Sequence, residues 1–292
     1  MLGPQGRSVA ARNPRGAPVS GMAYVDSALA HMEQGGPPPF WRHFHWGLFD
    51  DPERDDDSPE RYFAAAEAMT DHVIAAGEVR NGTRVLDVGC GFGGTLDRLR
   101  SRAPACRVAG LNIDERQLRW ARRLLSEETG VAPPPFVAGD GCVLPVADGS
   151  LDHVLAVECV FHFPSRRAFF REAARALRPG GTLALSDFLM APGALARVAT
   201  TMAASAGLGD GAWYGYVAKP LTAPGYERLA RSAGFEVVVD DDVTEATLPT
   251  YPALRRLARG DDEPEGLRTT DGVETLARAG DLQYHVLAFR RA

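Results

Sequence analysis

The sequence predicts an α/β fold: an open, mostly parallel sheet with helices on both faces. Three observations predict it. Residues 85–94 read Val-Leu-Asp-Val-Gly-Cys-Gly-Phe-Gly-Gly, an apolar strand running into a glycine turn. Strand-length apolar runs then alternate with helix-length amphipathic ones as far as residue 187. Such alternation calls for parallel strands joined by right-handed crossovers. Finally, Arg178-Pro179-Gly180-Gly181 is a helix-stop and turn signal directly before another apolar run.

The elements follow in order. Residues 1–20 are rich in Gly, Pro and Ala, carry Arg7, Arg12 and Arg15, and have no apolar core segment. They predict a disordered tail and not a secretory signal. An N-terminal segment over 21–60 holds Pro37-Pro38-Pro39, the aromatic run 40–49 and the acidic run 50–57. Residues 59–76 predict an amphipathic helix with Phe63, Ala66, Met69, Val73 and Ile74 along one side. In the first strand Val85, Leu86 and Val88 are apolar and Asp87 sits near the carboxyl end. Gly89, Gly91 and Gly93 let the chain turn sharply and pass close to a ligand. Thr95 is the expected N-cap of a helix near 95–103. Strands are expected at 107–113, 136–139, 151–158 and 182–187, with helices at 115–128 and 166–177 between them. Residues 190–220, rich in Ala and Gly, break the rhythm with Trp213, Tyr214 and Tyr216. A helix over 226–233 is closed by Gly234, and 235–239 and 283–289 read as the last strands.

Composition narrows the function. Apolar residues make up 45% and charged residues 24%, ordinary for a globular chain. A net charge of −6 argues against a nucleic-acid surface. No apolar stretch approaches the roughly 20 residues that span a bilayer. Cys90, Cys106, Cys142 and Cys159 form no C-x-x-C pair, which predicts reduced thiols in a cytoplasmic protein. No His or Cys pair has zinc-ligand spacing. The acidic runs 50–57 and 240–242 read as solvated loops, so no metal site is expected.

The glycines alone leave the ligand open. Gly89, Gly91 and Gly94 also fit the G-x-G-x-x-G dinucleotide pattern. Asp87 tips the balance, since a carboxylate there would repel a pyrophosphate but favour an amino group. Four ordered segments now carry a resemblance: Leu86-Asp87-Val88-Gly89-Cys90-Gly91; Gly110-Leu111-Asn112-Ile113-Asp114; Gly139-Asp140-Gly141-Cys142 with Leu144-Pro145; and Leu177-Arg178-Pro179-Gly180-Gly181. The chain resembles the class I S-adenosylmethionine-dependent methyltransferases over about residues 80–190, and more loosely to the C-terminus. Gln117 after the second segment, and Glu158-Cys159-Val160-Phe161-His162-Phe163-Pro164, make it most similar to the small-molecule group. That group includes sterol and tocopherol C-methyltransferases and antibiotic-pathway sugar O-methyltransferases.

The resemblance implies a Rossmann-like, seven-stranded sheet with an antiparallel last strand and a helical substrate cap drawn from 21–76 and 190–220, all within one domain over 21–292. S-adenosylmethionine is the implied cofactor. Gly89, Cys90, Gly91 and Gly93 are implied at its methionine end, with Asp87 setting the local electrostatics. Asn112 is implied at the ribose, where many relatives carry Asp or Glu, and Ile113 and Gln117 are implied among the cofactor-binding residues. Asp140, Gly141 and Cys142 are implied at the adenine, and Glu158 as a cofactor-side carboxylate.

Methyl transfer needs chiefly alignment, and a hydroxyl acceptor also gains from a general base. His162, just past the fourth strand, is the candidate base, with a pKa near neutrality as the expectation. The alternative is a histidine that orients the cofactor or packs the wall. Asp187, ending the fifth strand, could assist it or bind a substrate hydroxyl. His43 and His45 could approach from the N-terminal segment. Trp46, Phe161, Trp213, Tyr214 and Tyr216, with Trp41, Phe44, Phe49 and Phe163, could line an apolar acceptor pocket. The expected partner is a small natural-product acceptor, methylated on oxygen or carbon, in a monomer or homodimer. A nicotinamide-dependent oxidoreductase and a non-catalytic cofactor binder are the competing readings.

Overall fold

A computed structural model describes residues 22–35, 42–130, 132–204, 213–257 and 264–292. The expected tail 1–20, Trp41 and the part of the cap at 205–212 lie outside the described residues. Seven strands form one sheet in the order β3-β2-β1-β4-β5-β7-β6. They are β1 Arg84–Val88, β2 Arg107–Asn112, β3 Phe136–Ala138, β4 Leu151–Val157, β5 Leu177–Met190, β6 Phe235–Asp242 and β7 Leu282–Arg291. β1 to β5 run parallel, whereas β7 pairs antiparallel with both β5 and β6.

Strand alternation sorts the core into two layers. Val85, Leu155, Ala184 and Val286 face one cluster with Met69, Val73, Leu96 and Leu125. Leu86, Val154, Leu183 and Leu287 face the other, with Phe169, Phe170, Ala173 and Tyr226. The helices that supply these partners are α2 Pro59–Ala76, α3 Gly94–Arg102, α4 Glu115–Thr129, α5 Arg166–Ala176 and α7 Ala223–Ser232. Local signals explain several boundaries. Ser58 accepts from Arg61 N, with Pro59 at the first turn, so α2 begins at the expected residue. Gly130 closes α4 in the left-handed region at φ 62°.

Other expectations need correction. Arg178-Pro179-Gly180-Gly181 is not a turn ahead of the fifth strand. β5 already begins at Leu177, opposite Leu151, and the pairing slips register before His153 meets Thr182. The glycines are taken up as an irregularity within one long strand. Asp240, Asp241 and Asp242 are not a loop but the end of β6. His285 Nδ1 lies 2.6 Å from Asp240 and His72 Nε2 lies 2.7 Å from Asp241. Thr95 does not cap α3: Gly93 holds that position at φ 86°. Helices α1 Ala23–Glu33 and α6 Leu195–Ala204 lie in the two segments from which a helical cap was expected, whereas α8 Thr244–Thr247, α9 Thr250–Leu257 and α10 Pro264–Arg278 were not anticipated.

Candidate active site

The strand order reverses between β1 and β4. In an open parallel sheet the crevice beyond the carboxyl ends at such a switch point is where ligands bind. Two cavities meet there.

The smaller, about 100 Å³, opens over the glycine turn. Among the residues implied for the cofactor, Gly89, Cys90, Gly91, Asn112, Ile113, Gln117, Asp140, Gly141 and Glu158 line it. Gly89 has φ 80°, and a Cβ there would strike Cys159 Sγ at 2.6 Å. Gly91 has φ 50° and open space above it, the nearest atom being Gln117 Nε2 at 3.8 Å. Asn112 Nδ2 donates to Gln117 Oε1 at 2.9 Å, which links the two amides across the wall. Asp140 Oδ1 accepts from Cys142 N at 2.8 Å.

Asp87, Gly93 and Cys142 fall outside that wall. Strand alternation turns Asp87 away with Val85, toward α3, where the Thr95 hydroxyl bonds it. Burial nevertheless raises its pKa to about 7, and its Oδ2 has no hydrogen-bond partner among the described residues. Gly93 is small for packing: a Cβ would meet Leu125 at 3.1 Å and Ala121 at 3.4 Å. The Cys142 thiol instead faces the carbonyl of Ser165.

The larger cavity, about 490 Å³, is mostly apolar. Trp46, Phe161, Trp213 and Tyr214 line it, as does Phe44. Phe163 lines the smaller cavity instead. Phe49 is in neither; it is buried beneath the Arg61 guanidinium. Tyr216, expected in this pocket, lines neither cavity; its backbone carbonyl instead bonds the His162 ring. The wall is completed by Tyr24 of α1, Phe188 of β5, Met202 of α6 and Val273 of α10. None of these stood out in the sequence, because each belongs to an element too weakly patterned to read or to the end of a strand.

Tyr24, Phe44, His45, Glu158 and His162 line both cavities. His162 sits in a short 3-10 turn, Val160–His162. Its Nδ1 lies 2.9 Å from the Tyr216 carbonyl, which can only accept, so Nδ1 carries the proton. Tyr24 stacks on the ring at 6.3 Å. Burial lowers its pKa to about 4, against the raising effect of the Tyr216 bond. It is therefore neutral near pH 7, with a lone pair on Nε2 that has no partner among the described residues. The expected value near neutrality is corrected by this desolvation.

His45 is also neutral, lowered by burial to about 4. Its Nδ1 donates to Trp46 O at 3.0 Å, and its Nε2 is occupied by Thr70 Oγ1 at 3.0 Å and His43 Nδ1 at 3.1 Å. Glu158, the residue directly after β4, lies in the left-handed region at φ 46°, a costly conformation for a residue with a Cβ. Its Oε2 accepts from Trp46 N at 2.8 Å and from the Tyr284 hydroxyl. Burial outweighs both bonds and raises its pKa to about 8.

Asp187 reaches the wall of the larger cavity but is fully committed. Oδ2 takes Arg166 Nη2 at 3.1 Å and the Tyr226 hydroxyl, while Oδ1 takes Phe188 N at 2.8 Å. It is not placed as a second base. Among the described residues no group of three or more His, Cys, Asp or Glu could hold a metal ion, and no helix is long and apolar enough to cross a membrane.

Residues 86–185 match the family described as "Methyltransferase domain". The chain is 35% identical over 216 residues to Methyltransferase GfsG of Streptomyces halstedii, covering 74% of this chain and 73% of that one. It is 33% identical over 196 residues to 27-O-demethylrifamycin SV methyltransferase of Amycolatopsis mediterranei, covering 67% and 70%. Its fold matches that of the [4+2]-cyclase SpnF with a TM-score of 0.72 at 22% identity, over 98% of this chain and 99% of the other.

Proposed function

Since the chain belongs to the S-adenosylmethionine-dependent methyltransferases, we propose that it methylates a hydroxyl oxygen of a small, mostly apolar natural product. The smaller cavity fits the cofactor on its own chemistry. Gly91 leaves open the space a Cβ would fill, Asn112 and Gln117 present amides where ribose hydroxyls need partners, and Asp140 and Gly141 form the adenine side. S-adenosylmethionine supplies a methyl group already activated on sulfur. The larger cavity, walled by aromatic and aliphatic side chains, takes the acceptor.

One observation carries the choice of oxygen: the tautomer of His162. The Tyr216 carbonyl fixes the proton on Nδ1 and leaves the lone pair on Nε2 of a residue that lines both cavities. His162 Nε2 takes the hydroxyl proton as the oxygen attacks. His45, whose Nε2 is already engaged, cannot do the same. The remaining walls exclude water and hold the acceptor in line. The name of one relative reported above, 27-O-demethylrifamycin SV methyltransferase, is in keeping with this reading. The reading includes a cytoplasmic chain, a homodimer or monomer, and no nucleic-acid partner, in line with a net charge of −6.

The test pairs turnover with S-adenosylhomocysteine affinity in His162→Ala. Turnover should fall by roughly 10²–10⁴-fold, the usual worth of a general base, with affinity nearly unchanged. With a pKa of about 4, the parent's activity should stay level from pH 8 down to about 5 and drop only below that. Lost affinity with an unchanged chemical step makes His162 a cofactor-wall residue. A small turnover effect, exceeded by that of Trp46→Ala or Trp213→Ala, points to methylation at carbon.

A further inference from the structure

Arg166, in the first turn of α5, is the one lysine or arginine among the described residues lining the larger cavity, and its side chain is 8% exposed. A guanidinium has five N–H donors and keeps its charge. The protein uses three of them. Nε and Nη2 donate to Asp187 Oδ2 at 3.2 and 3.1 Å, Nε is shared with the Tyr226 hydroxyl at 3.1 Å, and Nη1 donates to the Lys219 carbonyl at 3.0 Å. One N–H on Nη1 and one on Nη2 have no acceptor among the described residues. Buried donors left without partners are costly, and these two share one rigid plane beside a cavity.

The charge around that plane selects what it can hold. Asp187 neutralises the guanidinium and has both of its own oxygens occupied. The pair offers two directed donors but no net charge. A carboxylate there would add an uncompensated anion to a mostly apolar cavity. A ketone, ester or amide oxygen would satisfy the donors at no such cost. His162 opens into the same cavity only four residues earlier in the chain.

We propose that Arg166 holds a neutral carbonyl oxygen of the acceptor, so that the site selects hydroxyl groups flanked by a carbonyl, with Asp187 and Tyr226 as positioning residues for the guanidinium. The orientation of the hydroxyl rests on the role of His162 given above, whereas the carbonyl contact is tested by binding alone.

The probes are methyl 3-hydroxydecanoate, 1-methoxydecan-3-ol (the same chain with the carbonyl replaced by CH2) and 3-hydroxydecanoate. Binding is read by quenching of tryptophan fluorescence, since Trp46 and Trp213 line the cavity, with S-adenosylhomocysteine present. In the parent the ester should bind about tenfold more tightly than the ether, as a hydrogen bond to a charged donor gives, and the carboxylate no more tightly than the ester. In the charge-balanced double variant Arg166→Gln/Asp187→Asn the ester-to-ether ratio should fall to near one. If that protein does not fold, Arg166→Lys keeps the ion pair but loses the planar pair of donors, and the ratio should still fall. Equal binding of ester and ether by the parent, a preference that survives in the variants, tightest binding of the carboxylate, or no binding of any probe up to its solubility limit would each overturn the proposal. Calorimetry with S-adenosylhomocysteine in the same variants should show unchanged affinity, which keeps a failure here separate from a failure of the methyltransferase reading.

Discussion

Glu158 carries a proton that its unfolded counterpart would give up. Burial raises its pKa from the ordinary 4.5 to about 8, so between those values the folded state binds more protons than the unfolded one. Its contribution to stability is fully present below pH 4.5 and is lost as pH rises through about 8. In Glu158→Gln that dependence is absent. The parent-minus-variant difference in unfolding free energy of the ligand-free protein, measured by urea titration, should therefore shrink steadily from pH 5 to 8. A constant or growing difference would mean that Glu158 is ionised in the folded state. The buried histidines act in the opposite sense: His45 and His162 destabilise as pH falls below about 6.5, and the subtraction removes them. Gly91 makes a separate prediction. A Cβ there enters open space that the cofactor should fill, so Gly91→Ala should weaken S-adenosylhomocysteine binding by about tenfold or more, some 1.4 kcal/mol. Unchanged affinity in calorimetry would remove Gly91 from the cofactor site. The residue types at these positions were legible in the sequence. Their protonation states were not, because desolvation depends on what packs around them.

Helix α5 links the core to the acceptor site. Phe169, Phe170 and Ala173 bury one face against the sheet, while Arg166 at its first turn reaches the larger cavity. Its start is set by Ser165, whose side chain accepts from Ala168 N at 3.1 Å. Ser165→Ala should cost about 1 kcal/mol, the typical worth of an N-cap, with S-adenosylhomocysteine affinity retained. A urea midpoint equal to the parent's would show that the cap contributes nothing. Elements from 84 to 176 were readable because each carries its own period and stop signal, as α4 does with Gly130. β5 was not. Arg178-Pro179-Gly180-Gly181 has the local chemistry of a turn, and only the pairing of Leu177 with Leu151 on the neighbouring strand draws it into the sheet. β6 was cut short for a similar reason: three aspartates argue for solvent, but His285 and His72 give two of them partners.

At the scale of the molecule, two cavities share one junction, and distant parts of the chain close it. α1 brings Tyr24 over His162, the segment after residue 42 brings Phe44 and His45, and α10 brings Val273 to the far wall of the larger cavity. The reaction proposed above asks only for alignment and one base. Turnover should be unchanged by EDTA. A loss on chelation that magnesium restores would require metal ligands in the acceptor site.

The sequence by itself determined the alternation of strands and helices, the glycine turn at the switch point and the methyltransferase family. The first two depend on short-range spacing, a period of 2 or 3.6 and a glycine where the backbone turns left-handed, and the family rests on the resemblance of four ordered segments. Tertiary structure decided which of those residues face the ligand and what they can do there. Asp87 and Gly93 belong to the glycine motif yet turn into the packing against α3 and α4, because alternation and helix contacts set their direction. Asp187 looked free to act until Arg166 and Tyr226, both distant in the chain, occupied it. His162 kept its candidacy, but with its proton placed by a carbonyl 54 residues away and its pKa lowered by burial. Directions, partners and protonation states arise from contacts between segments far apart in the chain, and a single sequence does not carry those pairings.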